Sequence, residues 1–255
     1  MSTTVQLNAL PDIPMIEPGD DLVGVLVDAI RRADIRPRDQ DVLVLAQKIV
    51  SKSEGRYVSL AEVVPSPRAI ALAAEVGKDP RMVELILRES TEVIRHRPGV
   101  LVVEHRLGFV MANAGIDQSN IPHALDGESA LLLPEDPDES CARIKAGLDA
   151  EFGVNLGIVM NDSFGRPWRN GVVGVALGAA GLPTLIDLIG AADLFGRKMR
   201  VTEIAFADEI AAAASMVMGQ TDAGRPAIHV RGLAWAAPPT NARELLRPRN
   251  IDMFR

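Results

Sequence analysis

The chain has 255 residues, 47 % apolar, 24 % charged and only 4 % aromatic, with a formal net charge of −7. That length admits one large or two small domains with a sizeable core. The acidity and the shortage of aromatics argue against nucleic acid or an anionic membrane surface as a main partner. The stretch "MSTTVQLNAL" does not read as a secretory signal, and no run of eighteen apolar residues predicts a membrane span. A lone Cys141 has no internal disulfide partner, which points to a reducing cytoplasm. Four scattered His and one Cys give no zinc-ligand spacing.

In chain order, "TTVQLNAL" reads as a short strand stopped by Pro11. "GDDLVGVLVDAIRRADI" has apolar residues at helical spacing, with Asp20 and Asp21 at its N-terminal end. Val42 to Leu45 is a buried strand that leaves the core through polar residues. "SPRAIALAAEVGKDPRMVELILRES" is two helices broken at "KDP". "EVIRHRPGVLVVEHRLGFVMAN" gives three strands with turns at Pro98–Gly99 and Arg106–Gly108. "PEDPDES", 134–140, is an acidic, Pro-rich joint, and a helix follows over 139–152. The second half opens on the strand "NLGIVM". "GVVGVALGAAG", 171–181, holds four Gly that permit close backbone approach in a helix contact or a strand crossing. "FADEIAAAASMVMGQ" is a helix running into Gly219, "PAIHVRGL" a closing strand, and "NARELLRPRNIDMFR" a short helix with a loose end. Strands and helices mix without a βαβ rhythm, so the expected class is α+β, with α/β second. The expected organisation is a single unit over 1–255, with any subdomain joint near 134–138.

Four segments carry candidate chemistry: "AQKIVSKSEGR" (46–56), "NAGIDQSN" (113–120), "MNDSFGRPWRNG" (160–171) and "MGQTDAGRP" (218–226). Each combines Gly with a hard-oxygen ligand or a cation. Asp117 and Asp162 follow apolar runs that could place them rigidly at a cleft. Ser163 adds a hydroxyl and Gln220 an amide oxygen, a set suited to Mg²⁺ or Mn²⁺. Lys52, Arg166 and Arg169 could meet phosphate charge. The plainer reading of each cluster is a turn bonded to its own backbone, and composition leaves both readings open. No G-x-x-x-x-G-K-[ST] occurs, and the Gly run does not match G-x-G-x-x-G, so neither a P-loop nor a Rossmann site is supported. His96, His105 and His229 read as surface or satisfied strand residues, His123 as non-catalytic and Cys141 as no nucleophile. Trp168, beside Arg169, could stack on a ligand, but it reads first as a half-buried anchor.

Together, "LPDIP", "IVSKSEGR", "VMANAGIDQSN", "LLLPEDPD", "NDSFGRPWRNGVVGVALG", "DLFGR", "ADEIAAAASMVMGQ" and "VRGL" resemble the coenzyme F-420-0:L-glutamate ligases, in order and spacing, from about residue 7 to residue 235. The resemblance implies an α+β fold, an intertwined homodimer and a GTP-dependent amide ligase. Such an enzyme adds L-glutamate to F-420-0 and then further γ-linked glutamates. Carried over by residue, it places Leu10, Pro11, Asp12 and Ile13 along the guanine nucleotide, with Gln47, Lys48 and Lys52 beside it. It makes Asp117, Asp162, Ser163 and Gln220 divalent-metal ligands and Asn120 a nucleotide contact. Met218, Gly219, Gln220, Thr221, Asp222, Ala223, Gly224 and Arg225 form the nucleotide loop. Archaeal relatives carry small hydroxyl residues at the places of Gln47 and Lys48, and an acidic residue can replace Gln220. A monovalent cation such as K⁺ joins the expected cofactors. Lys52 and Arg166 are expected to offset charge during phosphoryl transfer to the acid, before the glutamate amine attacks the acyl phosphate. Two rival readings are a metal-dependent phosphohydrolase using the same Asp pair and a deazaflavin carrier without chemistry. A third is a ligase of this family acting on another acid.

Overall fold

The computed structural model describes residues 4–119 and 129–254. Its strands and α-helices, in chain order, are β1 (Gln6–Ala9), α1 (Leu22–Arg32), β2 (Val42–Ala46), α2 (Gln47–Ser53), β3 (Tyr57–Ser59), α3 (Pro67–Val76), α4 (Pro80–Arg88), β4 (Ser90–Arg97), β5 (Val100–His105), β6 (Val110–Ala112), β7 (Ser129–Leu131), α5 (Pro137–Phe152), β8 (Gly157–Arg166), β9 (Arg169–Ala180), β10 (Ile186–Asp187), β11 (Glu203–Ile204), α6 (Phe206–Met218) and β12 (Ala227–Arg231). The class is α+β, as the pattern predicts.

Five strands form the central sheet in the order β1-β12-β2-β8-β9. β2 and β8 run parallel, and the other pairs are antiparallel. Both faces of this sheet are covered, so β2 reads as an unbroken apolar run rather than an alternation. Leu43 and Leu45 join Ile158, Met160 and Leu177 under α1 and α5. Val42 and Val44 join Val159, Ala176 and Ile228 under α6. A third core cluster lies between α3, α4 and the β4-β5-β6 sheet, around Val83, Ile86, Leu101 and Val103.

Helix starts follow local chemistry. Asp21, Ser66, Asp79 and Asp136 each accept a backbone N–H in the first turn of α1, α3, α4 and α5. Pro occupies the first turn of the last three, where no N–H is needed. The glycines of β9 answer a packing demand from both faces. A Cβ on Gly174 would stand 2.5 Å from the carbonyl oxygen of Ala211 in α6, and one on Gly178 would stand 2.4 Å from that of Pro137 in α5. The Gly run is therefore a helix contact. The open edge of β9 is closed by carboxylates from the same helices. Asp208 accepts from Ala176 N and Asp138 accepts from Ala179 N, both at 2.9 Å.

At the N-terminal end of β2, Asp41 is 3 % exposed and gathers four donors. Arg231 reaches both oxygens, at 2.9 and 2.6 Å. His229 Nε2 lies at 2.9 Å and the backbone N–H of Arg38 at 3.0 Å. His229 is thus a satisfied strand residue, as expected.

Three expectations change. Residues after Leu45 do not simply run out of the core: they form α2, whose Gln47, Ser51 and Lys52 are buried. The polar stretch after "NLGIVM" is not an exit from the strand, because β8 continues through Asp162 and Ser163 to Arg166 and turns directly into β9. Trp168 is no anchor: it sits at that turn with φ of 65° and is 87 % exposed. No helix among the described residues is long and apolar enough to cross a membrane.

Candidate functional site

β2 ends at Ala46, paired to Asn161 of the parallel β8, which runs on past it. Beyond the carboxyl ends of such a pair, ligands find a natural crevice. A cleft of ≈ 550 Å³ opens there. Five segments far apart in sequence line it: Ile13 to Ile16, the end of β2 with α2, Asp117 with Ser119, the middle of β8 from Asn161 to Ser163, and the loop 218–226 after α6.

Asp117 is delivered by strained backbone. Asn113, Ala114 and Gly115 all have positive φ, at 52°, 54° and 66°. Side chains other than Gly pay for that conformation, and such strain concentrates at functional sites. The chain then straightens, and Asp117 exchanges backbone hydrogen bonds with Leu131 at 3.0 and 2.9 Å. Its carboxylate accepts from Ser119 N at 2.6 Å and pairs with Lys48 Nζ at 2.5 Å. Burial would raise the acid, but the hydrogen bonds and charge of Lys48, with the donors of Ser119, hold Asp117 below the usual carboxylate range.

Asp162 and Ser163 are consecutive on β8 and therefore point to opposite faces of the sheet. Asp162 lies on the Met160 side, near Asp117 and Lys48. Burial pushes its carboxyl up to about 6; the backbone N–H of Ser163 opposes this, and the Asp117 charge adds to it. Ser163 lies on the α6 side, where its hydroxyl donates to Gln220 Oε1 at 2.9 Å. Lys52 is 5 % exposed on the inner side of α2. Burial and the neighbouring Lys48 lower its ammonium pKa, and Asp117 opposes them.

Asp117, Asp162, Ser163 and Gln220 are hard-oxygen donors, which suits Mg²⁺ or Mn²⁺. Among the described residues no three His, Cys, Asp or Glu side chains cluster. A metal here would rest on two carboxylates and neutral oxygens, leaving room for water and phosphate oxygens. The raised Asp162 acid is a second sign of fit, because a cation beside two facing carboxylates removes the cost of ionising both.

The cleft lining includes Ile13, Gln47, Lys48, Lys52, Asp117, Asp162, Ser163 and the whole loop from Met218 to Arg225. It does not include Leu10, Pro11, Asp12 or Arg166. Leu10 is buried in the core, and Asp12, with φ of 50°, offers its carbonyl to Arg32. Arg166 is exposed at the end of β8, donating to the Gly171 carbonyl at 3.2 Å. Asn120 and His123 lie outside the described residues. Sequence reasoning passed over Asn161, which is 4 % exposed on the cleft floor and whose Nδ2 contacts Met218 Sδ at 3.6 Å. Its place directly before Asp162 on an apolar strand was the available signal.

The F420-0:gamma-glutamyl ligase family model matches residues 12–232. The coenzyme F420:L-glutamate ligase of Methanothermobacter thermautotrophicus is 44 % identical over 253 residues, 98 % of this chain and 99 % of the relative. That of Methanopyrus kandleri is 42 % identical over 256 residues, covering 99 % and 98 %. That of Halobacterium salinarum is 44 % identical over 229 residues, covering 88 % and 85 %. All five lining segments fall within the matched span, and the chain belongs to the F420-0:gamma-glutamyl ligase family.

Proposed function

We propose that this chain is a GTP-dependent ligase of coenzyme F-420 biosynthesis that joins L-glutamate to F-420-0 and can extend the product with γ-linked glutamates. The observation that carries this reading is the convergence of five distant segments on one cleft. That cleft holds oxygen donors for a cation and ammonium groups for phosphate. The relatives' activity as coenzyme F420:L-glutamate ligases supports the substrate pair.

The chemistry follows from the leaving group. A carboxylate does not condense with an amine while oxide must depart. The acid oxygen therefore attacks the γ-phosphorus, the bond to the β-phosphate oxygen breaks, and GDP leaves. The glutamate nitrogen then attacks the acyl carbon, inorganic phosphate leaves, and the amine proton is lost to solvent. Asp117, Asp162, Ser163 and Gln220 would hold Mg²⁺ or Mn²⁺, which supplies charge neutralisation to the phosphates. Lys52, fixed by burial on α2, donates to phosphate oxygens and need not reorganise as charge develops. It is better placed for this than Arg166, which lies outside the cleft lining. The loop 218–225 offers backbone N–H groups and Arg225 to the nucleotide, and Ile13 and Gln47 complete the wall. In this reading the chain works as one cytoplasmic unit and pairs as a homodimer, with K⁺ as an additional cation.

The test is mass spectrometry of F-420-0 incubated with the full chain, GTP, Mn²⁺ and L-glutamate, beside ATP and metal-free controls. A gain of one or more glutamyl units that needs both GTP and metal supports the reading. GTP hydrolysis without any gain would replace it with a phosphohydrolase. The Asp117→Asn protein should lose ligation by at least about 100-fold, since a metal ligand contributes several kcal/mol to the transition state. Full activity in that variant at ordinary metal levels would remove Asp117 from the site.

A further inference from the structure

We infer that Lys48 is a resident counter-cation on Asp117, which must leave that carboxylate before a divalent cation binds there, so that metal and nucleotide load together. The inference rests on the reading of the cleft as a metal and nucleotide site. Its evidence is the geometry of one side chain. Lys48 stands in the first turn of α2, directly after β2 enters the cleft. Its ammonium bridges to two groups on the opposing segment, Asp117 Oδ2 at 2.5 Å and Ser119 Oγ at 2.8 Å. The other Asp117 oxygen accepts from Ser119 N at 2.6 Å. Both oxygens of the carboxylate expected to hold metal are therefore engaged.

Charge counting shows why this arrangement must change. Asp117, Asp162 and Asp222 bring three negative charges at most, and Lys48, Lys52 and Arg225 bring three positive ones. A divalent ion added to that set leaves a surplus of at least two positive charges, so a resident cation must be displaced or a polyanion must arrive. The side chains differ in freedom. Lys52 is 5 % exposed and fixed among the residues of α2. The Lys48 side chain is 27 % exposed and ends a flexible four-carbon stem. It is the one that can swing. Nucleotide phosphates give it a new partner of higher charge, reached without leaving the cleft. The nucleotide thus draws Lys48 away from Asp117, and the cation takes the vacated oxygen. Each ligand strengthens the other's binding by the same factor, as linkage requires.

The experiment is Mn²⁺ titration of the full chain, followed by electron paramagnetic resonance of free Mn²⁺, with and without GDP. Wild type is compared with Lys48→Met and Lys48→Arg, each checked for folding by circular dichroism. Without GDP, Lys48→Met should bind Mn²⁺ about tenfold more tightly than wild type, within the usual range of coupling between sites. Lys48→Arg, which keeps the charge, should stay near wild type. GDP should tighten Mn²⁺ binding in wild type and do so less in Lys48→Met. Equal or weaker Mn²⁺ affinity in Lys48→Met without GDP overturns the inference and leaves the metal site standing. Absence of Mn²⁺ binding in every protein, with and without GDP, overturns the metal reading and the inference together.

Discussion

The two ends of β2 each carry buried carboxylate chemistry, and they are built on opposite principles. At the N-terminal end one carboxylate, Asp41, meets two Arg231 nitrogens, a His229 nitrogen and a backbone N–H. At the C-terminal end two carboxylates, Asp117 and Asp162, share one cleft and feel each other's charge, and Lys48 pairs with Asp117. Burial works against both ends. At Asp41 the hydrogen bonds of Arg231 and His229 outweigh it, and the acid stays below its ordinary value. At Asp162 they do not, and the acid rises to about 6. A site that only holds the fold can satisfy its charges internally. A site that binds a charged ligand must leave some of that work to the ligand.

The contrast can be broken most directly at its structural end. Asp41→Ala leaves Arg231 and His229 without their partner, and should destabilise the fold by about 3 kcal/mol in denaturant melts. That is the low end for a buried pair, because Arg231 keeps some contact with water. A loss under about 1 kcal/mol would mean that the network carries no more than a surface pair. At the other end the sign should reverse. Asp162→Asn removes an ionisation that the metal-free fold resists, and should raise stability at pH 7 by about 2 kcal/mol. This is the shift from 3.8 to about 6, reduced for partial exposure. The same variant should lose Mn²⁺ binding, so stability and function would move in opposite directions.

The smallest effect is in the pH dependence, and it separates the two ends by shape. The Asp162 acid is raised in the fold, so its penalty is full above about 6 and fades as pH falls toward 3.8. The advantage of Asp162→Asn over wild type should shrink across that window in melts of the metal-free chain. The Asp41 acid is lowered, so its contribution is full above 3.8 and is lost only as pH falls below that value. The deficit of an Asp41→Asn chain should stay level from neutral pH down to about 4 and narrow below it.

Much of the scaffold was readable because local chemistry governs it. The Ser-Pro and Asp-Pro pairs at 66–67, 79–80 and 136–137 cap helices in the structure as their residue types require. The last of these moves the start of α5 two residues ahead of the expected 139. The short elements were not readable. α2 has seven residues, too few for a periodic pattern, and buries Gln47, Ser51 and Lys52 on contacts made far away in sequence. β3, ending at Ser59, pairs with β7, which starts only at Ser129. The pairing of Asp117 with Asp162 was legible because each carboxylate follows an apolar run, and the family motifs reinforced it. Nothing local marked Lys48 as the partner of Asp117, or Asp41 as the meeting point of Arg38, His229 and Arg231.

One feature of β8 reaches further. The strand outruns its parallel neighbour, which stops at Ala46, and places Asp162 and Ser163 on opposite sides of the sheet at the same level. The donor set is therefore split between two layers that share only the sheet: Asp162 with the α1 and α5 core, Ser163 and Gln220 with α6. The cleft works as a caliper with one jaw rooted in each core. On the proposed reading of the cleft as a metal site, a repacking mutation deep under α6, touching no ligand, would change the jaw separation and with it the size of cation bound.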